Sequence, residues 1–412
     1  MVPFHRLYFR ARNYGINHKT LYLLSLMVFF WAIFDGILSY VFPLAIIENG
    51  FSKTMLGVII GSSSVVGAVF DFVLSKYLKD THFRRMYLLM FAVCFLVPII
   101  LFAAKPLWLF LMSAALWGMY YDLHNFGNFD FIGRTIEPKD HAGSFGTLSI
   151  FGSLGRMIAP ILAGLTIGAL IDWKPYLLMY VMLTIAFVFF CILFFLTRKE
   201  GKKSQDFQVH KRRNFLKEVN LWEKIGKIIF PVLMLTMLLN IFDAFFWTIG
   251  PLLSESYRSL SPFNGLFLTF YMLPPLIVGW FVGNITLKFG KKRAAFLSFI
   301  VGSLLLSIFP FVTNSLIILG IIFASACFIA IAWPSINGAY ADYISEALSY
   351  ESEIKALEDF FANLGYIIGP IMAGVLADNF GNENAFLFLG VTGAIIAFIL
   401  WRKTPKQINV RL

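Results

Sequence analysis

Along this chain the apolar residues neither alternate nor gather on a single face; they run together. Nearly unbroken apolar stretches occupy 20–43, 53–78, 86–104, 107–131, 143–171, 175–197, 228–251, 262–288, 293–312, 315–343, 356–378 and 384–402. A helix that crosses a bilayer needs ~20 predominantly apolar residues and satisfies its backbone hydrogen bonds internally, where no water can do so. The stretches match that length, so the pattern predicts twelve transmembrane helices joined by polar turns. A membrane β-barrel would instead alternate apolar and polar positions. The expected fold class is therefore an all-α integral membrane protein.

Composition agrees. Of the 412 residues 59% are hydrophobic and 14% charged, with a net charge of +11 and a mean hydropathy of +0.77. Soluble domains sit near ~45–50% apolar and ~25% charged, so no large water-exposed domain fits. The basic surplus is not scattered. Of 34 Lys and Arg residues, 29 fall in alternate inter-helix segments: 1–20, 76–85, 134–139, 198–227, 288–293, Lys355 and 402–411. The opposite segments hold only Lys53, Lys105, Lys174 and Arg258. Basic loops stay on the cytoplasmic side, so both termini are expected there, in a plasma or inner membrane. An even number of helices requires the same. The charge thus reads as membrane topology, and no nucleic-acid partner is expected. Cys94, Cys191 and Cys327 all lie within apolar runs, which suits packing better than a disulfide framework.

The sequence is written twice. Segment 198–227 is a basic, polar cytoplasmic linker between an N-terminal six-helix bundle, 1–197, and a C-terminal one, 228–412. Ile33-Phe34-Asp35 with Pro43-Leu44 returns as Ile241-Phe242-Asp243 with Pro251-Leu252, 208 positions later. The run Leu154–Gly164 returns as Leu364–Gly374 at an offset of 210, and Asp80–Arg85 aligns with Leu287–Lys292 at 207. Ordered matches at nearly constant spacing imply pseudo-symmetric halves with a binding site between them near the membrane midplane.

These motifs resemble those of the major facilitator superfamily, the twelve-helix secondary transporters, across essentially the whole chain. The family's loop after the second helix reads Gly-x-x-x-Asp-Arg-x-Gly-Arg-Arg. The first copy here keeps Asp80, Arg84 and Arg85 but has Lys76 for the glycine. The second keeps Gly283, Lys288, Gly290, Lys291 and Lys292 but has Leu287 for the acid. The resemblance implies that these residues, with Asp130 and Asp342, form a latch that closes the cytoplasmic gate. Gly155, Ala159, Pro160, Ala163 and Gly164 in the fifth helix resemble the family's antiporter signature, Gly-x-x-x-Gly-Pro-x-x-Gly-Gly. The eleventh helix carries Gly365, Pro370 and Gly374 in the same pattern. Small residues permit close helix approach and proline permits a bend, so ordinary packing is the competing explanation.

Ionisable residues inside membrane helices are costly and so face protein or water. They are Asp35 in helix 1, Asp122 and His124 in helix 4, Arg156 in helix 5 and Asp243 in helix 7. In the family resemblance helices 1, 4, 7 and 10 line the central cavity; helix 10 offers Trp333, Ser335 and Asn337. Tyr120, Tyr121, Phe246 and Trp247 are candidates to stack on a substrate. Asp122 and Arg156 lie symmetrically about position 139 and reach equal depth, so Arg156 is expected to be neutralised by Asp122, Asp35 or both. Its repeat counterpart is Tyr366, which confines the charge to one half. A buried carboxyl pulled in opposite directions by burial and by an arginine can exchange a proton, and a static ion pair is the structural alternative. His124 is a candidate proton relay.

The expectation is a monomeric secondary transporter moving a small molecule by alternating access within the lipid bilayer, coupled to protons, with no cofactor or metal. Export of amphipathic or drug-like compounds leads because of the fifth-helix pattern; import of a sugar or organic anion is second. A non-transporting receptor or scaffold on the same fold is the remaining class. No phosphate-cradling Gly-x-x-x-x-Gly-Lys-Ser/Thr loop, His-Glu-x-x-His or Gly-x-Ser-x-Gly occurs, so neither ATP use nor the common intramembrane hydrolase chemistry is indicated.

Overall fold

The computed structural model describes residues 19–77, 81–136, 140–168, 171–197, 215–257, 266–346 and 350–404. Among these the regular structure is helical, with no strand. The N-half comprises α1 (Lys19–Glu48), α2 (Lys53–Tyr77), α3 (Phe83–Ala103), α4 (Leu107–Thr135), α5 (His141–Thr166) and α6 (Trp173–Leu196). The C-half begins with α7 (Phe215–Ser256), followed by a broken helix in three pieces, α8a (Leu266–Met272), α8b (Pro274–Val278) and α8c (Val282–Phe289). It ends with α9 (Lys291–Ile308), α10 (Ser315–Glu346), α11 (Glu351–Phe380) and α12 (Asn382–Lys403).

Ten of these helices are long and apolar enough to cross a membrane unbroken, and the α8 pieces would make an eleventh. The remaining candidate, α4, has 29 residues, ample length, but spends them on Asp122, His124, Asn125, Asn128 and Asp130. That polarity sets it apart from the other ten. Outward-facing apolar side chains such as Leu316, Phe311 and Trp280, each more than 70% exposed, suit a lipid surface.

The neighbours of each N-half helix recur six helices later. α1 lies against α5 and α6 as α7 lies against α11 and α12; α3 lies against α4 and α6 as α9 lies against α10 and α12. Helix packing through small residues explains the first of these relations. A Cβ on Gly155 would sit 2.5 Å from the Phe29 carbonyl of α1, and one on Gly365 would sit 2.7 Å from the Met237 carbonyl of α7. Gly36 meets Ala159 and Gly369 meets Ala244 in the same way. Gly164 is buried in the same helix. The glycine-proline pattern therefore spaces α5 against α1 and α11 against α7 alike.

Two expectations change. The eighth stretch is not one helix: Pro274 and Pro275 bring no N–H to the ladder, Gly279–Phe281 interrupts it again, and the pieces bend by 69°. Helix α7 starts at Phe215, so the described part of the basic linker is already helical. The acidic segment 346–359 contains the first turns of α11, where Glu351 and Glu353 suit the positive helix end and Lys355 pairs with Glu351 at 2.5 Å.

The ends of the helices near 77–83, 135–141, 289–291 and 346–351 form the basic side; the opposite ends form the far side. On the far side the halves touch. Tyr40 of α1 donates to Glu255 of α7 (2.9 Å), and the start of α2 is bound to Asp378 of α11. Deeper, Thr269 of α8a donates to the Met157 carbonyl of α5 (3.1 Å).

Candidate functional site

Between the halves lies a cavity of about 870 Å³, lined from α1, α2, α4, α5, α7, α8, α10 and α11. Its wall extends to Phe129, Ser149 and Asp359, roughly 9–12 Å from the basic ends of their helices at 1.5 Å per residue. With the far-side contacts made, this is a chamber facing the basic side.

Asp35 sits in the wall with its carboxylate fully engaged. Tyr120 OH (2.7 Å) and Trp117 Nε1 (3.2 Å) donate to Oδ1, and the Arg156 Nε lies 3.8 Å from Oδ2. Arg156 reaches Asp35 because Gly155, the residue before it, and Ala159, one turn after it, bring α5 close to α1. The guanidinium also donates to the Tyr121 hydroxyl (3.3 Å), with its carbon 6.0 Å from that ring's centre. The Asp35 side chain is 5% exposed and that of Arg156 27%, so the pair has a dry member and a wet one.

Across the cavity the repeat produces the same geometry with different chemistry. Asp243 accepts from Tyr271 OH of α8a at Oδ1 (2.7 Å) and from Tyr366 OH of α11 at Oδ2 (2.8 Å). Tyr366 occupies the place of Arg156, and Asp243 that of Asp35. Arg156, Asp243 and Tyr366 line the same cavity.

Of the residues singled out by sequence, Asp35, Asp122, Arg156, Asp243, Trp333, Tyr121 and Trp247 all line the cavity. Asp122 faces it from α4, one Oδ2 lying 3.0 Å from where a Cβ on Gly67 would be. The expected neutralisation of Arg156 is seen with Asp35. His124 is placed elsewhere: it is buried behind the wall, stacked on Trp31 with ring centres 3.7 Å apart, and within 3.4 Å of the Asn128 amide. Asn337 is exposed and does not belong to the cavity wall. Tyr120 and Phe246 are buried against other rings, Phe246 stacked 3.8 Å from Tyr271.

Sequence reasoning missed Trp117 and Tyr271, one donor to each of the two carboxylates. Neither is charged at neutral pH nor part of the matched repeat, so only its position one helix away from an aspartate identifies it. It also missed two repeat-related polar rows. Ser149, Ser153 and Arg156 on α5 correspond at the 210 offset to Asp359, Asn363 and Tyr366 on α11, and all six line the cavity.

The loop-motif residues cluster at the basic side, each within its own half. Asp130 accepts from the Phe83 backbone N–H (2.7 Å) and binds Arg134 (2.6 Å), fixing the start of α3. Arg84 donates to the Thr197 hydroxyl (3.2 Å) and carbonyl at the end of α6. Arg85 is exposed, and Asp80 lies outside the described residues. In the C-half Lys291 binds Asp342 (2.5 Å), Lys292 lies 5.4 Å from the Tyr343 ring and Lys288 5.5 Å from Phe289. Gly290 ends α8c and starts α9 with φ +81°, a conformation that favours glycine. Gly283 has open space around it, so its size is not demanded here. Among the described residues no cluster of His, Cys, Asp or Glu could hold a metal ion.

Comparison with known proteins agrees with this arrangement. The crystal structure of a mutant of the nucleoside transporter NupG superposes with a TM-score of 0.74 at 13% identity, over 94% of this chain and all of that one. A bacterial homolog of the human lysosomal transporter Spinster, in an inward-facing, unoccupied conformation, gives 0.70 at 13% identity, covering 94% and 97% of the two chains. Its inward-facing, occupied form gives 0.72 at 12%, covering 95% and 98%. At such identities the likeness is one of fold. No curated protein matches by sequence. The sequence profile of the Major Facilitator Superfamily matches residues 24–349 and, in a second match, 232–411, and with that coverage the chain belongs to this superfamily of multi-pass membrane transporters.

Proposed function

We propose that this protein is a proton-coupled secondary transporter that exchanges protons for a small cationic or neutral amphipathic solute, and so exports it. The two six-helix halves, 1–197 and 228–412, rock about the central cavity, and 198–227 joins them. All twelve helical units cross the membrane, the basic side and both termini face the cytoplasm of a plasma or inner membrane, and the protein acts as a monomer.

One observation carries the choice of solute. Among the described residues the cavity wall holds four carboxylates, Asp35, Asp122, Asp243 and Asp359, and one guanidinium, Arg156. That imbalance repels an organic anion, which removes part of the import alternative. It favours a cation, and Trp117, Trp247, Trp333 and Tyr121 in the same wall offer faces on which a cationic or apolar ring stacks. The glycine-proline pattern no longer argues for export by itself, because it packs both halves alike. What argues for exchange is that protons and a cation compete for the same carboxylates.

Uptake of a neutral polyhydroxy ring, a sugar or a nucleoside as in the NupG likeness, is the second reading. It is favoured by Ser39, Ser63, Ser64, Ser149, Ser153, Asn125 and Asn363 in the wall. Proteoliposomes decide between them. Under an imposed pH step the first reading requires a lipophilic cation to move against the proton flux, and the second requires a radiolabelled nucleoside or sugar to move with it. A protein that moves neither under any pH gradient is a receptor or scaffold on this fold.

A further inference from the structure

We propose that the far side is locked by helix caps exchanged between the halves: Asp378 of α11 caps the start of α2, and Lys53 of α2 caps the end of α11. The first N–H groups of a helix have no partner within it. In α2 the Met55 N–H goes to Ser52 Oγ (3.1 Å), an ordinary cap from the same helix. The Lys53 and Thr54 N–H groups go instead to the Asp378 carboxylate across the interface, at 3.0 and 2.7 Å, and the Thr54 hydroxyl joins them at 2.6 Å. In return the Lys53 Nζ donates to the Ala377 carbonyl in the last turn of α11 (3.3 Å).

Each charge stands at the wrong end of its own helix. A lysine in a first turn meets the positive end of the dipole, and an aspartate in a last turn meets the negative end. Both placements are locally unfavourable, and both become favourable only when the two helix ends meet. The surroundings are built for that meeting. Cβ atoms on Gly57 and Gly374 would collide with the Pro370 and Lys53 carbonyls, and one on Gly61 would lie 2.8 Å from that of Ile367, so α2 and α11 touch backbone to backbone below the caps. Opening the far side leaves the Lys53 and Thr54 N–H groups of α2 without their acceptor and takes from the Ala377 carbonyl one of its two donors, the other being the Gly381 N–H (3.1 Å), which biases the protein toward the state facing the basic side. The solute and the proton coupling play no part in this.

The test separates exchanged caps from a simple ion pair. Spin labels on Asn49→Cys and Asn384→Cys report the far-side distance, and labels on Gly133→Cys and Glu346→Cys report the basic side, in full-length protein with Cys94, Cys191 and Cys327 replaced by alanine. Asp378→Ala is expected to raise the ratio of long to short far-side distances by at least about ten-fold, with the basic-side distance shortening. The charge reversal K53D/D378K is the discriminating variant. It keeps opposite charges facing each other, but each now stabilises its own helix without the partner. Exchanged caps require it to release the far side as Asp378→Ala does. A far side that stays short in K53D/D378K overturns the proposal in favour of an ion pair, and one that stays short in Asp378→Ala overturns it outright. Broadening on both sides marks an unfolded variant. Thr54→Val, which removes one bond and no charge, then carries the test: a smaller shift in the same direction supports the proposal and no shift overturns it.

Discussion

The two halves place an aspartate at the same point and answer it differently. In the N-half Asp35 faces a guanidinium, supported by an indole and a phenol; in the C-half Asp243 faces two phenols. Backbone geometry is shared, so the divergence lies in side chains that touch the cavity. A phenol donates one hydrogen bond and stays neutral, whereas a guanidinium brings a fixed charge that protonation of its partner leaves uncompensated. The N-half is thus the half in which gaining a proton leaves a cation without its counter-charge. The C-half holds its acid by hydrogen bonds from two phenols.

The largest effect should come from erasing that difference. Arg156→Ala leaves Asp35 without its cation in a site only 5% exposed. Breaking a buried pair costs ~3–5 kcal/mol, and the partial exposure of Arg156 lowers this to about 2 kcal/mol. We expect accumulation driven by a pH step to disappear and the melting temperature in detergent to fall. The double variant Asp35→Asn/Arg156→Ala should recover the stability but not the coupling. Retained pH-driven accumulation in Arg156→Ala would show that the charged half is not the coupling half.

A smaller and symmetric effect belongs to the packing the halves share. Gly155→Ala and Gly365→Ala each place a Cβ within 2.5–2.7 Å of a facing backbone oxygen. Overpacking of this kind costs ~1–3 kcal/mol, so both variants should melt lower by similar amounts, while Gly283→Ala should not move. A loss confined to Gly155→Ala would mean that the fifth-helix pattern has a role its repeat lacks.

How much of this was legible beforehand follows from what a sequence encodes locally. Span length is a property of consecutive residues, so the helices were readable, and the 207–210 offsets exposed the repeat. The break in α8 was written as Pro274-Pro275 but was masked by the apolar character around it. Asp35, Arg156 and Asp243 stood out because charge in an apolar run is rare. Trp117 and Tyr271 did not, because aromatic residues are abundant in this chain and only the fold selects which ones face an acid. His124 also stood out by its type, which suggests proton transfer, but not by its place: it stacks on Trp31 behind the cavity wall.

Next in size is Tyr366→Phe, which removes one of the two donors to Asp243 and no charge. A hydrogen bond to a charged group is worth ~1.5–3 kcal/mol, and Tyr271 keeps the other oxygen satisfied, so solute affinity should weaken by roughly ten-fold with pH-driven accumulation intact. Uncoupling as complete as that in Arg156→Ala would dissolve the distinction between the halves.

The smallest effect lies at the basic side, where the starts of α3 and α9 differ in the same spirit. α9 begins at Gly290, which has no side chain to donate or accept. α3 begins at His82, whose Nδ1 accepts from the Arg84 N–H at 3.4 Å. Partial burial, then the charges of Arg84 and Arg134, push the His82 pKa below its usual 6.5, against the opposing pull of Asp130. A base with a lowered folded pKa binds fewer protons folded than unfolded, so its contribution is full above pH 6.5 and is lost as pH falls through the folded value. Protonation also occupies the nitrogen that accepts the bond. Because His82 is only partly buried, the change should be about 1 °C in melting temperature between neutral and mildly acidic pH. His82→Asn keeps a capping acceptor without a titrating ring and should abolish that dependence. An unchanged pH profile in His82→Asn would show that the α3 start is held by Asp130 alone, as the α9 start is held without any capping side chain.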